Sequence, residues 1–230
     1  MKEWLMDFAG LIYPPVCPGC SRPLFRNEKV LCTYCLHGLP RTNFHRFREN
    51  PVEQTFWGRV LLEGATSFLF FSKGGKVQQL MHAIKYRNQK KAGFFLGELF
   101  GREIAHTEPF SACKLIIPVP LHPKKLRKRG YNQSEIIGRG MGKTMNIPVR
   151  TDILMRRLHS DTQTRKSRYN RWINVRNIFS LKNQGAIYGR HILLIDDVLT
   201  TGATLEACIQ TLNEAGELKI SVATLAYADM

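Results

Sequence analysis

One stretch, HILLIDDVLTTGAT (residues 191–204), limits this chain to a narrow set of folds. Ile192 to Ile195 are consecutive apolar residues with no polar alternation. That is the pattern of a strand buried on both faces of a parallel sheet. The run meets two adjacent carboxylates, Asp196 and Asp197, and continues through Thr200, Thr201, Gly202 and Thr204. Leu205, Cys208, Ile209 and Leu212 then fall on one helical face, closed by Gly216. A strand, a loop and a helix follow in order, and open α/β sheets take ligands at the carboxyl ends of such strands.

The remaining segments agree with an α/β domain. Residues 64–72 (GATSFLFFS), 114–120 (KLIIPVP), 147–156 (IPVRTDILMR) and the last apolar run, ELKISVATLAYA, read as strands. Residues 77–86, 92–106 and about 132–143 read as helices, with Val77, Leu80, Met81 and Ile84 at helical spacing in the first. A basic turn separates the 114–120 strand from the 132–143 helix. Strands alternating with helices predict a mainly parallel sheet covered by helices on both faces. Residues 59–230 are expected to form this domain, residues 41–58 a linker, and residues 1–40 a small N-terminal module.

The chemistry at 196–204 has two halves. Asp196 and Asp197 are acceptors suited to sugar hydroxyls. Val198, Leu199, Thr200, Thr201, Gly202, Ala203 and Thr204 open a helix, where amides and the helix dipole suit an anion. Thr200, Thr201 and Thr204 add hydroxyl donors, and Gly202 lets the backbone approach closely. A sugar phosphate satisfies both halves. A helix N-cap would explain one of these residues, but not two carboxylates and three threonines together.

The cysteines form a second motif. Cys17-Pro-Gly-Cys20 and Cys32-Thr-Tyr-Cys35 are two C-x-x-C pairs separated by eleven residues. Two such loops can converge four thiolates on one closed tetrahedral site, which suits a structural Zn²⁺. Two disulfides or a redox motif are the rival readings, weaker where thiols stay reduced. Cys113 and Cys208 lie in apolar contexts and read as core.

Lys plus Arg number 34 against 18 acids, a formal net charge of +16. Such a balance favours a polyanionic partner, although a solvated basic surface produces the same count. No run is long enough to span a bilayer. Glu3 and Asp7 interrupt the apolar N-terminus and Pro14-Pro15 cut it short. It reads as an amphipathic helix rather than a signal peptide, which points to the cytoplasm.

LLIDDVLTTGAT resembles the phosphoribosyl-pyrophosphate (PRPP) motif of type I phosphoribosyltransferases. By that resemblance Asp196 and Asp197 hold the ribose hydroxyls and Val198 to Thr204 cradle the 5′-phosphate. IIPVPLHPKKLRKRGYNQS (116–134), TQTRKSRYNRWINVRNIF (162–179), the four cysteines and Lys85-Tyr86-Arg87 resemble the ComF/GntX group of competence-associated phosphoribosyltransferase-like proteins. The resemblance implies a type I phosphoribosyltransferase-like fold, Mg²⁺ bound with PRPP, and Lys85, Arg87 and Arg129 as ligand-binding cations. Five of the six residues Lys124 to Arg129 are basic and occupy the place of a pyrophosphate loop. Residues 156–176, with seven Lys or Arg and one Asp, occupy the place of a mobile hood. Arg165, Lys166, Arg168 and Arg171 there are candidates to meet pyrophosphate or DNA. No stretch announces a base pocket, and His82, His122 and His159 carry no assigned role.

Two functions follow. The first is transfer of phosphoribosyl from PRPP, or another phosphoribosyl compound, to an unknown acceptor, linked to DNA uptake in natural transformation. The second is a non-catalytic competence factor that binds single-stranded DNA or senses PRPP, with a competence helicase as a further partner.

Overall fold

The computed structural model describes residues 14–157 and 178–228. The N-terminal segment expected to be amphipathic, before Pro14, and all of the hood expected over residues 156–176 beyond Arg157, with His159, Arg165, Lys166, Arg168 and Arg171, lie outside the described residues. In chain order the elements are α1 (Thr33–His37), α2 (Pro51–Gln54), β1 (Gly64–Phe71), α3 (Lys76–Tyr86), α4 (Lys90–Ile104), β2 (Leu115–Pro118) and α5 (Pro123–Arg129). There follow α6 (Gln133–Met145), β3 (Leu154–Arg156), β4 (Phe179–Leu181), β5 (His191–Leu199), α7 (Ala203–Asn213) and β6 (Lys219–Ala228).

Strands β1, β6, β5 and β2 form one sheet in that order, and every neighbouring pair is parallel. β5 sits inside the sheet, and His191 to Ile195 are buried throughout. The unbroken apolar run is explained by a layer of side chains on each face. On one face Leu193 and Ile195 meet Leu80, Ile84, Leu96, Phe100, Ile137 and Met141 of α3, α4 and α6. On the other, Ile192 and Leu194 meet Leu205, Cys208, Ile209 and Leu212 of α7, together with Val52 and Phe56.

The segment 41–58 is built into this arrangement. Asn50 caps α2 through the amides of Val52 and Glu53, and its amide donates to Ala65 O on β1 at 2.9 Å. Val52 and Phe56 are fully buried.

Two elements differ from the sequence reading. The basic turn after β2 is the helix α5, entered at Pro123 and ended by Gly130 at φ 78°. Proline at the first helical position and a left-handed glycine just past the last are a helix signature. No α5 residue is buried, so no apolar stripe announced it. The strand expected over 147–156 contracts to β3, which pairs antiparallel with β4, plus one bridge from Val149 to Ile116.

Helices α4 and α6 approach almost backbone to backbone. A Cβ on Gly97 would lie 2.2 Å from Ile137 O, and one on Gly140 would lie 2.1 Å from Phe94 O. The glycines set the depth at which α6 lies against the sheet, and with it the place of its N-terminus.

Candidate functional site

The two carboxylates are the sixth and seventh of the nine residues of β5, where burial first gives way along the strand. Asp196 Oδ1 accepts from Ser134 Oγ at 2.9 Å and from its neighbour's amide, Asp197 N, at 2.8 Å. Burial and the adjacent Asp197 charge push the Asp196 carboxyl from its ordinary 3.8 up to about 7. Asp197 Oδ2 pairs with Lys85 Nζ at 2.8 Å, and the two side chains are 16% and 24% exposed.

Three bonds hold the start of α6 at this place. Asn132 caps the helix through Ser134 N at 3.2 Å, and its amide donates to Val119 O at the end of β2 at 2.9 Å. The Tyr131 hydroxyl donates to Ile84 O in the last turn of α3. Tyr131, Asn132 and Ser134 thus tie β2, α3 and β5 together, and Ser134 touches the carboxylate directly. The helix expected from about residue 132 starts here, but its first turn carries no sequence mark of a contact with Asp196. Its usable signal was the N-cap asparagine before a helical run.

Beyond the carboxylates, Asp196 and the residues from Val198 to Leu205 line a small, mostly polar cup of about 40 Å³. Gly202 is left-handed (φ 75°) and gives α7 no side-chain cap. Residues of the first turn line the cup at the positive end of the helix dipole, and Ala203 N lies 3.5 Å from Thr201 Oγ1. A Cβ at Gly202 would also lie 3.0 Å from Thr55 and 3.1 Å from Phe56. Arg59 braces the loop, donating to Thr201 O at 2.9 Å and to Thr55 O at 3.0 Å while pairing with Glu206 in the first turn of α7. Arg59 was not foreseen, because the contact spans 142 residues of sequence.

The basic residues divide between two cavities. Lys85, Tyr86, Asn88, Lys125, Lys128, Arg129 and Tyr131 line one of about 370 Å³. Lys85 and Arg129 are therefore brought together in one cavity, and Lys85 alone of the two is shown in contact with a carboxylate, that of Asp197. Arg87 lines a different cavity of about 480 Å³, with Cys20, Gln78 and His82.

The four cysteines converge. The sulfurs of Cys17, Cys20, Cys32 and Cys35 all lie within 4.8 Å of one another, and Cys20 Sγ is 3.6 Å from Cys32 Sγ. Four thiolates at about 2.3 Å from a tetrahedral zinc stand roughly 3.8 Å apart. Backbone amides support them: Cys32 N donates to Cys17 Sγ, and Cys35 N to Cys32 Sγ, each at 3.4 Å. The cluster could hold a metal such as zinc. Among the described residues no helix is long and apolar enough to cross a membrane.

Known proteins match along the same lines. A family model described as phosphoribosyl transferase domain matches residues 141–229, a span that holds β5, the cup and β6. The DNA utilization protein YhgH of Shigella flexneri is 28% identical over 214 residues, covering 90% of this chain and 88% of its own. Competence protein F of Haemophilus influenzae is 33% identical over 153 residues, covering 65% of this chain and 67% of its own. Competence protein ComFC of Bacillus subtilis is 32% identical over 103 residues, covering 45% and 40%. The parallel sheet, the four-cysteine cluster and these relatives agree: the chain belongs to the ComF/GntX family of phosphoribosyltransferase-like competence proteins.

Proposed function

We propose that the end of β5 binds PRPP, and that the protein transfers its phosphoribosyl group to an acceptor in the service of DNA uptake. The observation that carries this reading is the juxtaposition of Asp196, the first of the paired carboxylates, with the start of α7 around one cup. Asp196 and Asp197 would accept from the ribose hydroxyls, and the amides and hydroxyls of residues 198–204 would hold the 5′-phosphate. Lys85 and Arg129 would meet the diphosphate in the cavity they share. Their positive charge would stabilise the leaving group as negative charge develops on it. The donors at the strand end are carboxylate oxygens, which suit Mg²⁺. The ion would be carried mainly by the ligand's own oxygens and would neutralise the diphosphate. Zinc in the cysteine cluster would be structural, since four thiolates leave no open position. The competence role is carried over from the names of the relatives.

Calorimetric titration with PRPP tests the site. The wild type is expected to bind, and the Asp196→Asn, Asp197→Asn double variant to lose binding while keeping its fold by circular dichroism. Unchanged affinity in the double variant would remove the assignment. A screen of nucleobases and amines with PRPP, read as pyrophosphate release, tests for transfer.

The surface around Tyr86, which takes in that same cavity, favours a second reading as a single-stranded DNA binder. Tyr86 is 67% exposed, its ring lies 4.8 Å from that of His82, and the Arg129 guanidinium stands 5.3 Å from its centre. The two cavities flanking it carry Lys85, Arg87, Lys125, Lys128 and Arg129, and no carboxylate lines either. A cationic groove with an aromatic platform suits a single strand. Anisotropy with a labelled oligothymidylate is expected to weaken steeply with salt and to weaken further in Tyr86→Ala. A flat salt response would exclude this reading.

A further inference from the structure

We propose that Lys85 makes the site selective for a pentose that carries a diphosphate over the plain pentose phosphate, by blocking Asp197 until a diphosphate takes the lysine away. The inference rests on the reading of this site as a PRPP site.

Three observations carry it. First, the ammonium of Lys85 already occupies Asp197 Oδ2 at 2.8 Å, and both side chains are largely withdrawn from water. A ribose hydroxyl brings a neutral donor, so displacing the ammonium from Oδ2 gives up the attraction between two full charges unless Lys85 finds another anion. Second, Lys85 also forms part of the wall of the cavity that holds Lys125, Lys128 and Arg129. An anion drawn there by three other cations lies beside the Lys85 stem, and a lysine can follow it by rotation about its flexible four-carbon chain. Third, the cup for a 5′-phosphate is lined by other residues, Asp196 and Val198 to Leu205, and Lys85 is not among them. A ligand with only that phosphate gives Lys85 no new partner and leaves Asp197 engaged.

The carrier of Lys85 is held in place. Tyr131 bonds Ile84 O in the residue before it, so the end of α3 does not drift from α6. What moves is therefore the side chain alone. The cycle is an exchange of partners: Lys85 on Asp197 when the site is empty, Lys85 on the diphosphate and Asp197 on the ribose when it is full.

Calorimetry with three ligands, PRPP, ribose 5-phosphate and pyrophosphate, tests this at constant salt and Mg²⁺. Lys85→Met is expected to shrink the preference for PRPP over ribose 5-phosphate at least tenfold, with ribose 5-phosphate binding equally well or better. Lys85→Arg keeps the charge and is expected to keep most of the preference. Asp197→Asn releases the lysine and is expected to bind pyrophosphate at least threefold more tightly than wild type. In Lys85→Met with Asp197→Asn that gain disappears, a coupling no general loss of fold produces. The proposal is overturned if Lys85→Met weakens PRPP and ribose 5-phosphate by the same factor. It is also overturned if the pyrophosphate gain survives in the double variant. If Lys85→Met does not fold, a gain in Asp197→Asn supports the proposal and its absence sinks it. A wild type that binds neither PRPP nor pyrophosphate removes the PRPP reading and this inference with it, whereas the other negative outcomes leave PRPP binding standing.

Discussion

Asp196 holds its proton more tightly in the folded chain than in the unfolded one, with its carboxyl raised from 3.8 to about 7 by burial and by Asp197. Between those two values the folded state binds more protons than the unfolded state. Stability therefore falls as pH rises through about 4 to 7, and the loss is complete above that window. Asp196→Asn keeps an oxygen for Ser134 Oγ and carries no charge. It is expected to raise stability at pH 8 by at least about 1 kcal/mol and to change little at pH 4, by thermal melts across that range. A variant less stable than wild type at pH 8 would contradict the account. Such a gain from disabling a carboxylate is what a functional residue leaves behind. The carboxylates, the cup and the cysteines were legible because each is contiguous or paired in sequence. Ser134 and Arg59 were not, since Ser134 acts across 62 residues and Arg59 across 142.

Packing between elements turns on glycine. Gly93, Gly97 and Gly101 repeat every fourth residue along α4, and Gly97 and Gly101 leave no room for a Cβ against α6. Helix α6 answers with Gly140, against Phe94 O. The spacing stood in the sequence, but an apolar-face reading counts large side chains and passes over the empty ones. Gly140→Ala is expected to cost about 1–3 kcal/mol in chemical denaturation, because the atoms it meets are backbone. It should also weaken PRPP binding, because α6 carries Ser134 to Asp196. Unchanged stability would mean that the helices can part freely. Arg59→Met tests the brace on the other flank. It is expected to weaken 5′-phosphate ligands several-fold while its exposed ion pair with Glu206 contributes little to the melt.

At the scale of the molecule, the cysteine module and the sheet share one apolar cluster. Cys17, Leu31, Cys32, Cys35 and Leu39 belong to the same group as Val77, Leu80 and Met81 of α3. The alternation of strands and helices foretold the sheet, and the paired cysteines foretold the cluster. Nothing local announced the contact between them, since a contact between elements leaves no period in either. Metal analysis of tag-free protein is expected to find one zinc per chain. Its removal by a strong chelator should lower the melting temperature of the whole chain, because the cluster is common. Absence of zinc, with Cys17 and Cys20 joined as a disulfide, would overturn the metal assignment. The contact has a further consequence. One end of α3 meets the knuckles: Lys76 Nζ lies 3.9 Å from the centre of the Tyr34 ring, and Leu80 lines the space above Gly19. The other end delivers Lys85 to Asp197. An eleven-residue helix, about 16 Å long, then joins the cysteine cluster to the proposed sugar site as one rod. If zinc in the cluster tightened the proposed PRPP site through that rod, PRPP would tighten the hold on zinc by the same factor.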